Sequence, residues 1–194
     1  MKIFNDYEEF SEAFEKAGEG DITAVRNMLN HLLVNLDDDN DPWLVQLLRQ
    51  TYIDKLIDEG EAYAWVYKGD EILRNHEAEH FVYEALKCYL KAAALGDNMG
   101  FDCIGELYFK GDYVERDFDM SFVFFHLGIK HGNTLNPMSL CRIGQMYKYG
   151  YHGELNLETA EEFFSKAISV GSNHGIIDDY ALIAANELYD MRAS

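Results

Sequence analysis

The chain has 194 residues, 48% of them hydrophobic, which is enough for a packed core and excludes a disordered tail. Thirty-five Asp and Glu against sixteen Lys and Arg give a formal net charge of −19. Phosphate backbones and anionic membranes would repel that surface, so nucleic acid and membrane are excluded as first readings, while solubility or a basic protein partner fits. The opening stretch, "MKIFNDYEEF", has neither the basic segment nor the apolar run of a signal peptide. No stretch reaches the roughly 18 consecutive apolar residues of a membrane span. Cys88, Cys103 and Cys141 form no C-x-x-C pair and are odd in number, so reduced thiols in a cytoplasm are expected. Each falls in an apolar helical pattern, where a free Cys serves as a small core residue.

Along the chain, 7–17, 22–35 and 42–59 read as helices, with their register against later segments left open. "LDDDNDPW" places Asp37, Asp39 and Asp41 at alternate positions, as in a calcium loop. Pro42 and Leu48, however, stand where that loop needs glycine and glutamate, so an interhelical loop ending in a cap is expected. Asp41-Pro42 and Asn136-Pro137 both read as an Asx N-cap followed by proline at the first helical position.

From Gly60 onwards the chain repeats itself. Gly111 and Gly150 lie 39 residues apart, and the same offset pairs Ile104 with Ile143, Gly105 with Gly144, and Tyr108 with Tyr147. It also pairs Phe124-Phe125 with Phe163-Phe164, and Gly132 with Gly171. Gly96 and Gly60 extend the series backwards in steps of 36 residues. Tyr89, Phe125 and Phe164 each stand seven residues before a closing glycine, and Ala85, Ser121 and Ala160 stand eleven before it. Apolar and small residues at three- and four-residue steps make each unit two helices, and no alternating strand is expected. The closing glycines suit left-handed caps. Gly105 and Gly144, mid-helix, each cost about 1 kcal/mol relative to alanine, which a close helix approach would justify. Tyr108 and Tyr147 are expected to fill the space between paired helices.

These residues resemble the Sel-one-like repeat family, a relative of the tetratricopeptide solenoids. The resemblance rests on Gly100, Ile104-Gly105, Tyr108, Gly111, Asp117, Ser121, Phe124-Phe125, Gly128 and Gly132. The next unit repeats it with Ile143-Gly144, Tyr147, Gly150, Asn156, Ala160, Phe163-Phe164, Ala167 and Gly171. The unit before is read with Gly69 at the place of Gly111, Tyr63 where the family has glycine, and six extra residues after Gly69. The resemblance implies an all-α, right-handed α/α superhelical solenoid of about ten helices. The expected organisation is one continuous domain: degenerate helices over 1–59, repeats over 60–96, 97–132 and 136–171, and a capping helix within 173–194. It also implies a protein-binding adaptor that holds its partner in a concave groove, without catalysis or a cofactor.

In related solenoids the first helices line that groove. Asp102, Glu106 and Phe109 share a face of one first helix and are expected to look outward, with Gln145 and Lys148 as counterparts one repeat on and Tyr67 as the counterpart of Phe109 one repeat back. An acidic, aromatic groove of this kind would accept a basic or amphipathic segment, with aromatic anchors. Phe122, apolar where its counterpart is Glu161, marks a second contact surface or packing against the extra loop. A monomeric immunity protein covering a basic toxin is a narrower version of the same reading. The rival is an enzyme. "HEAEH" satisfies H-E-x-x-H, so His76 and His80 could bind zinc with Glu77 as base and Glu84 or Glu106 as a third ligand. Arg74, Asn75 and Glu79 are polar where such proteases are apolar, which disfavours it. His126, His131, His152 and His174 show no ligand spacing and are expected at surfaces or turns.

Overall fold

Glycine and Asx residues set most of the helix boundaries. The computed structural model describes residues 7–35, 42–75, 80–132, 134–173 and 176–193. Among them, ten α-helices follow in chain order. They are α1 (Tyr7–Gly18), α2 (Ile22–Asn35), α3 (Pro42–Asp58), α4 (Ala64–Asn75), α5 (Phe81–Ala94), α6 (Met99–Lys110), α7 (Phe118–His131), α8 (Pro137–Tyr149), α9 (Leu157–Gly171) and α10 (Asp179–Ala193). Asp117, Asn136 and Asn156 cap α7, α8 and α9 by accepting from the backbone N–H of Met120, Met138 and Thr159 at 2.9, 3.0 and 3.0 Å. Gly111 (φ 74°) and Gly150 (φ 66°) end α6 and α8 in the left-handed conformation that other residues resist.

Helices pack as antiparallel pairs, α4 on α5, α6 on α7 and α8 on α9, and each pair stacks on the next. α4, α6, α8 and α10 are neighbours in one layer, with α5, α7 and α9 behind them. This is the all-α solenoid that the repeats predict. One pattern of contacts explains the repeated letters. The fully buried rings of Phe125 and Phe164 lie against Gly105 and Gly144, where a Cβ would stand 2.7 Å from the ring in each case. Beside them, Tyr108 stacks on Phe124 and Tyr147 on Phe163, with centroids 6.1 and 5.9 Å apart. The tyrosines therefore fill the space between paired helices, as expected.

Four expectations need correction. Gly69 is the counterpart of Gly105, not of Gly111, because the buried ring of Tyr89 lies against it and a Cβ there would stand 2.5 Å from Cε1. The six extra residues disappear with that register, and Leu73 rather than Tyr67 corresponds to Phe109. Second, glycine closes α7 and α9 for space rather than for a left-handed cap. Gly132 is extended (φ −75°, ψ 142°), and a Cβ on it would meet Asn98 Nδ2 at 2.6 Å. A Cβ on Gly171, inside α9, would meet Ala181 Cβ at 2.5 Å. Third, a short antiparallel ladder joins β1 (Ser172–Asn173) to β2 (Ile176–Ile177), where only helix was expected. α10 then starts at Asp179, beyond a turn in which the Asp178 carboxylate accepts from the Tyr180 N–H at 2.8 Å. The fourth concerns two carboxylates of α6, described with the groove below.

Ahead of the repeats, Val25, Met28, Leu29 and Leu32 of α2 pack with Tyr52, Ile53 and Leu56 of α3. Arg49, buried at 5% exposure, donates from Nη2 to the Leu32 carbonyl at 2.8 Å, so its guanidinium supplies a donor to the last turn of α2. Asp37, Asp39 and Asp41 lie outside the described residues.

Candidate protein-binding groove

The face of α6 that carries Asp102, Glu106 and Phe109 turns towards α8 and α10. Asp102 is 1% exposed; its Oδ2 accepts from Asn136 Nδ2 at 2.8 Å and its Oδ1 from Ser139 Oγ at 2.5 Å. Burial raises its carboxyl above the ordinary value, against the pull of those two donors. Glu106, 9% exposed, accepts a two-pronged pair from Arg142, Nη2 at 2.6 Å and Nε at 2.9 Å. The Tyr180 hydroxyl of α10 donates to it at 3.0 Å, and Lys110 Nζ lies 3.2 Å away. Burial alone would raise the Glu106 carboxyl, but Arg142 and then Lys110 overcome it and hold it below the usual carboxylate range. The expectation that Asp102 and Glu106 look outward is therefore corrected. Asn136, Ser139 and Arg142 belong to the next first helix and its cap, so both carboxylates latch adjacent repeats together.

Phe109 borders a cavity. Its ring packs edge-on against Phe118 and Tyr151, centroids 5.5 and 6.3 Å away, and the Arg142 guanidinium lies 4.4 Å from its centroid. These groups border a cavity of about 460 Å³, with Gln145 and the exposed rings of Tyr149 and Tyr151 along its edge. Gln145 bridges Arg142 Nη1 at 2.9 Å and Glu187 Oε1 at 2.8 Å. Lys148 lies outside the border of this cavity and pairs with Glu187 at 2.6 Å. Tyr67 lies away from this cavity, edge-on to Tyr63 at 5.8 Å in the amino-terminal cluster. A second cavity of about 290 Å³, bordered by Leu73, Leu107 and Tyr113 and by the carboxylates of Asp70 and Glu106, shares Lys110 and Asp112 with the first. The two cavities adjoin at those residues.

Phe122 is half-buried, its ring between the imidazoles of His126 and His152 at 4.1 and 4.0 Å, so it packs on the turn of the next repeat. His76 and Glu77 lie outside the described residues, and His80 is exposed in the turn before α5. Among the described residues, no three His, Cys, Asp or Glu side chains gather as a metal set. Burial pushes the Cys141 thiol up to about 12 and raises those of Cys88 and Cys103, so none is a ready thiolate. Arg116, Arg142, Tyr149 and Tyr151 were not singled out by sequence. Their only signal is that cations are scarce in this chain and that Tyr149 and Tyr151 flank a repeat glycine.

The Sel1 repeat profile matches residues 62–97, 98–133 and 137–172. Among solved structures, the chain is similar to a protective antigen present in uropathogenic Escherichia coli strains and displaying an SLR fold. The identity is 19% and the TM-score 0.66, over 95% of this chain and 36% of that one. It is also similar to a Sel1 repeat protein from Oxalobacter formigenes, at 21% identity and a TM-score of 0.54, over 73% of this chain and 97% of that one. Such likeness shows the fold alone. The chain spans 36% of the length of the E. coli antigen. No curated protein matches it. No described helix is long and apolar enough to cross a membrane. Sel1 repeats are generally non-catalytic scaffolds for protein interaction. With repeats matched over more than half its length, the chain belongs to the Sel1 repeat family.

Proposed function

We propose that this chain is a non-catalytic adaptor whose protein partner lies along the groove of α6 and α8. The observation that carries this reading is the cavity of about 460 Å³ with Phe109, Tyr149 and Tyr151 grouped at its edge. Rigid aromatics beside a concavity are the usual anchors of an interface. Asp102 and Glu106 act beneath it by fixing α8 against α6, while Phe109 and Gln145 meet the partner directly. Lys148 flanks the contact, and Tyr67 lies outside it. The three unpaired thiols support a reducing, cytoplasmic setting.

A second reading, an immunity or inhibitor protein against a basic toxin, is favoured by the net charge of −19. That partner would use exposed carboxylates outside the groove, such as Glu154, Glu158 and Glu162. Affinity capture from lysate at low and high salt, with the wild-type chain and a Tyr149→Ser, Tyr151→Ser variant, separates the two. A partner lost from the variant, with helicity unchanged by circular dichroism, is the adaptor outcome. A salt-released basic protein retained by both chains is the inhibitor outcome.

A further inference from the structure

The larger cavity differs in sign from the molecule as a whole. In a chain of net charge −19, the larger cavity is bordered by Lys110, Arg116 and Arg142, and Asp112 is the one carboxylate at its edge. Arg142 and Lys110 share Glu106 beneath the surface, so one buried carboxylate answers two cations. Lys110 remains half exposed at 49%. Arg116 pairs with no carboxylate among the described residues. Its Nε and Nη2 both donate to the Lys110 carbonyl, at 3.1 and 2.9 Å, and its guanidinium lies 5.8 Å from the Phe118 ring centroid. The cation is thereby held in place with Nη1 left uncommitted, so a ligand would not have to order it.

We infer that this groove binds an acidic peptide segment, seating a side-chain carboxylate against Arg116 and Lys110 and a neighbouring apolar side chain beside Leu73 and Leu107. The inference rests on the adaptor reading and adds the chemistry of its partner. Charge complementarity in the larger cavity carries it: a basic segment there would meet three cations and one bordering carboxylate. The second cavity adjoins at Lys110 and Asp112; Leu73, Leu107 and Tyr113 give the neighbouring side chain an apolar place, while Asp70 and Glu106 on the same border confine the carboxylate to the larger cavity. The molecule's overall negative charge does not oppose a short segment, because screening reduces interactions beyond about 10 Å at 0.1 M salt. A long polyanion would extend past the groove and meet that charge.

The test is selection of a random dodecapeptide display library on the full chain, followed by fluorescence polarisation with the enriched peptide. The expected peptides carry two or more Asp or Glu next to an apolar residue. Arg116→Gln should weaken the synthetic peptide about tenfold, as expected for loss of one charge-assisted contact. Lys130→Gln, the same charge change at an exposed site on α7, should leave affinity unchanged, and an Asn/Gln copy of the peptide should not bind. Equal affinity for wild type and Arg116→Gln overturns the inference. Enrichment of basic or uncharged peptides whose binding is lost in Tyr149→Ser also overturns it, while leaving the adaptor reading in place. No enrichment of any peptide overturns both.

Discussion

Gly105 and Gly144 are residues that look unfavourable locally and are required by the packing around them. Alanine would gain about 1 kcal/mol of helix propensity at either position. Its Cβ would stand 2.7 Å from the Phe125 or Phe164 ring, however, and overpacking of a filled core costs about 1–3 kcal/mol. The packing term wins, so Gly105→Ala should lower the urea midpoint; a raised midpoint would mean the ring gives way freely. The glycine was legible in the repeat, because its local cost demands a neighbour. Glu106 was legible only as a letter, since its meaning depends on Arg142, 36 positions on. Removing that guanidinium leaves a largely buried carboxylate, so Arg142→Ala should cost about 3 kcal/mol at pH 7. The folded Glu106 carboxyl lies below its ordinary value of 4.5, so its stabilisation is complete above that pH and is lost as pH falls through the lowered folded value. In Glu106→Gln, the urea midpoint should therefore fall less than in wild type between pH 5 and pH 3. Parallel curves would show that the pair contributes no pH-dependent stability.

Caps and registers decide the helices. Asn156 makes one capping bond, and Asn156→Ala should cost about 1 kcal/mol. Asn136 caps α8 and also donates to the buried Asp102, so Asn136→Ala should cost more, about 2 kcal/mol, because a buried acceptor loses a partner as well. Equal losses in urea denaturation would show that the bond to Asp102 contributes nothing. The Asn136 cap was readable in sequence, since an Asx residue followed by proline is a local start signal, whereas Asn156 stood out only as a position of the family pattern. The register of α4 was not. Gly69 fits a turn or a helix interior equally well, and only the Tyr89 ring against it decides.

Over the whole molecule, stability should be carried by contacts between neighbouring helices. α10 buries Ala181, Ala184 and Leu188, and its Glu187 accepts from Gln145, Lys148 and Tyr149 of α8. Truncation after Ser172 removes that cover and exposes the apolar sides of α8 and α9. The truncated chain should run as larger species than the full chain in size-exclusion chromatography with light scattering. A truncated chain that stays monomeric with unchanged stability would contradict the covering role of α10.

Sequence by itself determined the periodic part of this protein: paired helices, many of their glycine and Asx boundaries, the close approach required at Gly105 and Gly144, and the resemblance to its family. Those features come from interactions within about 40 residues that recur, so each copy supports the reading of the others. Tertiary structure alone decided what the first-helix face presents. Asp102 and Glu106 lie inward because Asn136, Ser139 and Arg142 of the next repeat approach them, and such pairings do not recur at the equivalent position, where Cys141 replaces Asp102. An acidic composition likewise says nothing about where the few cations gather. Folding draws Lys110, Arg116 and Arg142 to one groove, because helices one repeat apart in sequence are side by side in space.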